Sequence, residues 1–193
     1  MVNEQEIHAL IKKFIQGDRR AFEIIYDQIH QKVYRTVYFL ATNKDDVNDL
    51  VSEVYIELFK SIERYNFESP FHSWINGLII RQVNNWNRQS WRKLRLFHRY
   101  KELEIQPPNQ HLDEMILANE ENEELLQWVE HLSFKLKSVI VLRYYHDYTY
   151  DEIAGILCIP IGTVKSRHNQ AIRKLRQYVE RLKKVKGESF HVS

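Results

Sequence analysis

Cysteine is almost absent from this 193-residue chain, where Cys158 stands alone. One thiol excludes an intramolecular disulfide framework and a cysteine-based zinc cluster, and it suits a reducing interior. Glycine (five) and proline (four) are equally scarce, too few to punctuate many hairpins, which argues against an all-β architecture. No apolar run approaches the roughly 18 residues that a membrane helix needs. The first residues, Met1 to Glu6, are polar, so no membrane insertion and a cytoplasmic location are expected. A Gly-rich phosphate loop is missing. His8, His30, His72 and His98 are scattered without regular partner spacing. Neither a catalytic constellation, a metal site nor a cofactor is therefore expected, and the chain does not read as an enzyme. What is present is apolar surface: 44% hydrophobic and 12% aromatic residues suffice for packed cores and are too many for a disordered chain.

Charge is segregated along the chain, although the net value is only +2. Residues 70–101 contain no acid, while Arg81, Arg88, Arg92, Lys93, Arg95, Arg99 and Lys101 are basic. Residues 102–130 contain nine acids and no Lys or Arg. The sign then reverses, ending in Arg173, Lys174, Arg176, Arg181, Lys183 and Lys184. Two basic blocks around an acidic middle suggest two surfaces that face a polyanion, although solvated helix faces would look similar.

Apolar residues recur at helical spacing almost throughout. Ile7, Leu10, Ile11, Phe14 and Ile15 mark a first short helix, and Phe22, Ile25, Tyr26, Ile29, Val33, Val37 and Leu40 a second. Val47, Leu50, Val51, Val54, Tyr55, Leu58, Phe59 and Ile62 mark a third; Phe71, Trp74, Ile75, Leu78, Ile79, Val83 and Trp86 a fourth. The pattern lapses over residues 101–122, where Pro107-Pro108 forbids a continuous helix, and resumes with Leu125, Trp128, Val129 and Leu132. The expected fold is all-α: two small helical domains, residues 1–100 and 123–186, joined by a flexible linker over 101–122.

The strongest local signal runs from Tyr148 to Arg167. Thr149 followed three residues later by Glu152 is a capping box. A helix of about two turns follows with Ile153, Ala154 and Leu157 inward, then a tight turn from Cys158 to Gly162, then a second helix from about Thr163 whose buried side is Val164, Ala171, Ile172 and Leu175. This is the helix-turn-helix pattern, whose second helix occupies the major groove. Lys165, Ser166, His168, Asn169 and Gln170 face away from its apolar side. Lys, Asn and Gln can satisfy base edges, while Arg167, Arg173, Lys174 and Arg176 can neutralise phosphates. Any amphipathic hairpin also has a polar outer face, so the motif alone leaves that alternative open.

Asp151-Glu152-Ile153-Ala154 with Pro160 to Arg167 resembles region 4 of the extracytoplasmic-function (group IV) RNA polymerase sigma factors. Asp49 to Tyr55 resembles the signature of region 2, and Phe71-His72-Ser73-Trp74-Ile75 its DNA-facing part. The resemblance spans about residues 5–185 and implies a region 2 bundle and a region 4 helix-turn-helix. It further implies a protein that binds RNA polymerase core and directs promoter-specific initiation, with promoter DNA as second partner, a stress or envelope regulon, and room for an anti-sigma factor. By the resemblance, Asp46, Asp49, Leu50, Ser52 and Glu53 meet the polymerase. Tyr65, Phe67, Phe71, Arg81, Asn84, Asn85 and Arg88 meet the minus 10 element, where opened DNA needs aromatic pockets beside a basic groove. Thr163, Lys165, Ser166, Arg167, Asn169, Gln170 and Arg173 meet the minus 35 element. Trp74 and Trp86 are expected in the core. The chain departs from the family pattern at Ser52 (commonly Gln), Arg81 (Asn), Ser133 (Pro) and Gln170 (basic).

Two other functions compete. A DNA-acting enzyme with a helix-turn-helix tail would need a nucleophile or metal site in the first domain. A conventional helix-turn-helix regulator would need a dimerisation or ligand module there.

Overall fold

The computed structural model describes residues 3–100 and 129–188, with side chains over 3–90 and 129–181. The chain divides into two compact units, Met1–Ala118 and Asn119–Ser193. The expected linker, 101–122, lies outside the described residues. Among those described there is no strand, and no helix is long and apolar enough to cross a membrane.

The first unit is built from α1 (Glu4–Ile15), α2 (Arg19–Leu40), α3 (Val47–Ser61) and α4 (Phe71–Tyr100). Asn3 opens α1 with a reciprocal capping box to Glu6, so two amides that lack intrahelical partners are satisfied locally. Asp18 accepts from the Arg20 amide and opens α2. Between these helices Gly17 sits at φ +100°, which only glycine adopts without strain. The stripes then close on one another: Ile7 and Ile11 of α1, Ile25, Ile29, Val33 and Val37 of α2, Val47, Leu50, Val54 and Leu58 of α3, and Phe71, Leu78, Ile79 and Val83 of α4 are buried. α4 is the central helix. It packs on α1, α2 and α3, and six consecutive residues from Ile75 to Ile80 are buried, so it is enclosed on all sides there.

The second unit contains α5 (Phe134–Tyr144), α6 (Tyr150–Leu157) and α7 (Ile161–Glu188). Seven successive residues of α5, Leu136 to Leu142, are buried, making it the core against which α6 and α7 pack. Lys137 is among them; burial holds its ammonium below the usual lysine range, with Glu130 acting the other way. Ile153, Val164 and Ala171 are fully buried and Leu175 nearly so, which is the expected inner seam. Ala154, Leu157 and Ile172 are only half-buried.

The expected capping box forms. The Thr149 backbone amide and hydroxyl donate to Glu152 Oε2 at 2.7 and 2.8 Å, and the Glu152 amide returns to the Thr149 hydroxyl at 3.3 Å. These bonds, the backbone one first, hold the Glu152 carboxyl below its usual range. A depressed folded pKa stabilises above the unfolded value and is lost as pH falls through the folded one. Thr149→Ala should therefore cost about 0.5–2 kcal/mol of stability at neutral pH. The gap from wild type should narrow as pH drops below the ordinary glutamate value of 4.5, as helical circular dichroism during denaturant titration would measure.

α6 ends at Cys158 in the left-handed region (φ 52°, ψ 48°), closed by the Ile159 amide on the Ala154 carbonyl at 3.1 Å. The second helix starts at Ile161, two residues before the sequence suggests. Pro160 is the reason: its carbonyl accepts from the Thr163 and Val164 amides at 2.8 and 3.2 Å, so the first turn is already wound there.

Candidate nucleic-acid and partner interfaces

Three surfaces gather the residues singled out by the sequence. The first is the outward side of α3. Asp49, Ser52 and Glu53 are exposed and follow helical spacing, so they share one face. Ser52 donates back to the Asn48 carbonyl at 3.0 Å, leaving the acidic pair as the chemical content of the strip. Leu50 does not belong to it. At 1% exposure it lies in the core, because its position continues the buried row Val47, Leu50, Val54, Leu58. Asp46 also turns inward: its Oδ2 accepts from Trp86 Nε1 at 2.8 Å and its Oδ1 from Asn43 at 3.4 Å. It ties the start of α3 to α4 rather than offering a free charge. Trp86 is half-buried, not a core residue outright.

Beside the acidic strip lie apolar side chains left open, some of them (Phe59, Tyr26 and Ile15) from the stripes that periodicity marked and others (Ile56 and Ile24) outside them. Ile56 and Phe59 are 45% and 47% exposed, and Ile15, Ile24 and Tyr26 are exposed as well. Phe59 meets Phe22 at 4.3 Å, Phe22 meets Phe14 at 5.0 Å, and Tyr26 meets Tyr55 at 5.0 Å between ring centroids. Burial pushes the Tyr55 hydroxyl above the ordinary tyrosine range. The legible signal was the width of the α3 stripe, broader than one core seam needs. An acidic strip bordered by exposed apolar rings is the chemistry of a protein-docking face.

The second surface is the segment before α4 and the outer side of that helix. Tyr65 is 3% and Phe71 0% exposed, so neither ring is open to a base; both are packed with Trp74 at 5.2–5.8 Å between centroids. Aromatic residues suit a core and a stacking surface equally, and here enclosure by α1 takes these two inside. Trp74 itself is half-buried. Phe67 is the half-exposed ring, at φ 60°, a value rare for a bulky side chain. On α4, Arg81, Asn85 and Arg88 are exposed and Asn84 is half-buried; their spacing places them on one side over two turns. His72, half-buried in the first turn of α4, is held below the usual histidine range by burial and by Lys32, with Glu4 opposing.

The third surface is the outer side of α7. Lys165, Ser166, Asn169, Gln170 and Arg173 are exposed, and Thr163 and Arg167 half-buried, opposite Val164, Ala171 and Leu175. His168 is the exception to the expected outward set. Its Nε2 meets the Tyr144 hydroxyl at 3.0 Å and its Nδ1 the Tyr150 hydroxyl at 3.2 Å, so it bridges α5, α6 and α7. Arg143 supports the same corner, donating to the Tyr148 carbonyl at 2.9 Å.

Two exposed side chains of this helix carry different expectations. Lys165→Ala should lose about 1–3 kcal/mol on the preferred DNA sequence and relax base preference. Arg176→Ala, exposed three residues beyond Arg173, should weaken binding to all sequences alike. Competition binding against randomised duplexes distinguishes the two, and identical sequence-independent losses would misplace the reading face.

Comparison with known proteins follows this division. The family description "Sigma-70 region 2" matches residues 25–93 and "Sigma-70, region 4" residues 128–177, together well over half of the chain. The ECF RNA polymerase sigma-E factor of Haemophilus influenzae is 28% identical, over 93% of this chain and 96% of that protein. The ECF RNA polymerase sigma factor SigK of Mycolicibacterium vanbaalenii is 25% identical, over 89% and 88%. Among solved structures, the sigma factor RpoE bound to the anti-sigma factor NepR from Bartonella quintana superposes with TM-score 0.65 at 18% identity. It covers 82% of this chain and 96% of that one. CnrH in complex with the cytosolic domain of CnrY gives TM-score 0.62 at 15% identity, over 91% and 97%.

Proposed function

The chain belongs to the extracytoplasmic-function RNA polymerase sigma factors, proteins that direct transcription initiation with RNA polymerase core and promoter DNA as partners, and we propose how its surfaces divide that work. The strip Asp49, Ser52 and Glu53 with Ile56 and Phe59 docks on the polymerase. Phe67, Arg81, Asn84, Asn85 and Arg88 face the minus 10 element, and Thr163, Lys165, Ser166, Arg167, Asn169, Gln170 and Arg173 the minus 35 element. Residues 1–100 act as the first domain, 101–122 as the linker and 123–186 as the second. The protein works in the cytoplasm on a regulon of stress or envelope genes. An anti-sigma factor holds it inactive, a reading supported by the solved RpoE structure, where a sigma factor is bound to an anti-sigma factor.

The observation that carries the reading is the first unit, where an acidic and apolar docking face on α3 and a basic face on α4 occur in one small bundle. A conventional regulator needs only the second. In vitro transcription with core polymerase and genomic fragments tests it: specific start sites should appear only when both proteins are present. Specific DNA occupancy without any core-dependent transcript would favour a conventional regulator.

A further inference from the structure

The first unit contains an arrangement that the polymerase and DNA faces leave unexplained. α1 reaches across the chain to hold the segment from Tyr65 to Phe71. Glu4 Oε1 accepts from the Phe71 amide, the first residue of α4. His8 Nε2 lies 2.8 Å from the Tyr65 hydroxyl and 3.1 Å from Glu4 Oε1. The Tyr65 hydroxyl in turn donates to the Ser69 carbonyl. A phenol has one hydrogen, and the Ser69 carbonyl takes it. At the histidine contact Tyr65 must therefore accept, which makes His8 Nε2–H the donor. Burial, with Glu4 adding to it, pushes the Tyr65 hydroxyl up to about 12, so it remains a donor across the physiological range.

The directed chain from His8 to Tyr65 to Ser69 closes a loop whose tip is Phe67. Asn66 and Glu68 fasten the base of the tip: the Glu68 amide donates to Asn66 Oδ1 at 3.2 Å and Asn66 Nδ2 to Glu68 Oε2 at 2.6 Å. Phe67 is left between them in the left-handed region, where asparagine or glycine would be relaxed and phenylalanine is strained. Its ring stands edge-on to His8 at 5.2 Å and tilted to Tyr65 at 4.8 Å. Lys12, on the next turn of α1, places its ammonium 5.2 Å from the ring centroid. The strain is retained at a half-exposed ring that contributes less to the core than Tyr65 or Phe71.

We propose that α1 is the positioning element of this tip: Glu4 and His8 hold Phe67 where one unpaired promoter base stacks on it, and Lys12 leaves the ring for the phosphate of that nucleotide. This rests on the reading of the first unit as the one that meets opened promoter DNA. An aromatic face accepts any base, and an exposed lysine over such a face is held weakly enough to be displaced. The displaced ammonium finds a stronger counter-charge in the strand that displaced it. Glu4 and His8 touch no DNA; they act through Tyr65 and Phe71.

The test uses the full chain with core polymerase and fork-junction DNA in which 2-aminopurine replaces each unpaired base in turn, since stacking quenches its fluorescence. Wild type should quench one position. His8→Ala should lose that quenching and about tenfold in fork affinity, within the range of one lost base stack, while binding to fully paired DNA is unchanged. His8→Gln, which keeps an amide donor at similar reach, should restore both. Phe67→Asn should lose quenching with a thermal midpoint no lower than wild type, because asparagine tolerates the backbone angle. Lys12→Ala should keep the quenching at saturation and lower the salt slope of fork binding by about one. Wild-type quenching in His8→Ala, or equal defects in His8→Ala and His8→Gln, overturns the positioning role alone. Absence of quenching at every position in wild type overturns the reading of the first unit as well.

Discussion

Core RNA polymerase is expected to raise the affinity of this chain for a cognate promoter fragment by about 10²–10⁴-fold, the gain available when a second contact becomes intramolecular. The two surfaces proposed to face DNA lie on separate compact units, α4 on one and α7 on the other. Docking the pair on one large partner fixes their separation, so engagement of one promoter element raises the effective concentration of the other. The nine acids of residues 102–130, between two basic blocks, add to the contrast. Their charge is expected to compete with phosphates for the basic faces of the free protein at low salt, where screening is weak. The phenylalanine tip also needs unpaired bases, which duplex DNA does not offer. Binding titrations at fixed salt, with and without core, measure the ratio. Tight sequence-specific binding by the free protein would reduce the polymerase to a bystander.

The second large effect separates two neighbours on α3. Replacing Asp49 and Glu53 together by lysine should weaken core binding by roughly a hundredfold, because opposed like charges at an interface cost several kcal/mol. Both side chains are exposed, so the melting temperature should hold. Leu50→Ala should do the reverse. Its side chain is 1% exposed, and emptying such a site costs about 2–5 kcal/mol of stability, with any loss of binding following only from unfolding. Pull-down on core polymerase, beside thermal denaturation of each variant, reads both quantities. A charge-reversed double variant that binds core as wild type does would remove the acidic strip from the interface.

The patch of exposed Phe59 and half-buried Phe22 would give the proposed docking face its second component. Rings that contact one another at 4.3–5.8 Å while remaining partly open present apolar area without needing to reorganise. Such a surface is also a liability in the free protein.

Features set within one turn of helix were legible from residue order alone. Thr149 and Glu152 are three residues apart, so their capping box depends on nothing distant, and it formed as expected. The seam of Ile153, Val164, Ala171 and Leu175 followed from helical spacing, as did the exposed row of Lys165, Ser166, Asn169, Gln170 and Arg173. Pro160 shifted the start of α7 by two residues because a carbonyl, not a side chain, opened the helix. The fold class was equally plain, since scarce glycine and proline and persistent helical periods left little else.

Spacing says which residues share a face, but not how wide a strip the neighbours cover, and that is where tertiary structure decided. Leu50 went inside and Phe59 stayed half-open because the helices packed on α3 cover one part of its apolar stripe more fully than the other. Tyr65, Phe67 and Phe71 are chemically alike, yet α1 encloses two and leaves the third at a strained tip. The contacts responsible, His8 with Tyr65, Glu4 with Phe71 and Asp46 with Trp86, join residues 57, 67 and 40 positions apart. No local rule relates such positions. Sequence determined the helices, their inner seams and the chemistry available on their faces; only the packing of whole helices determined which side chains were left to meet another molecule.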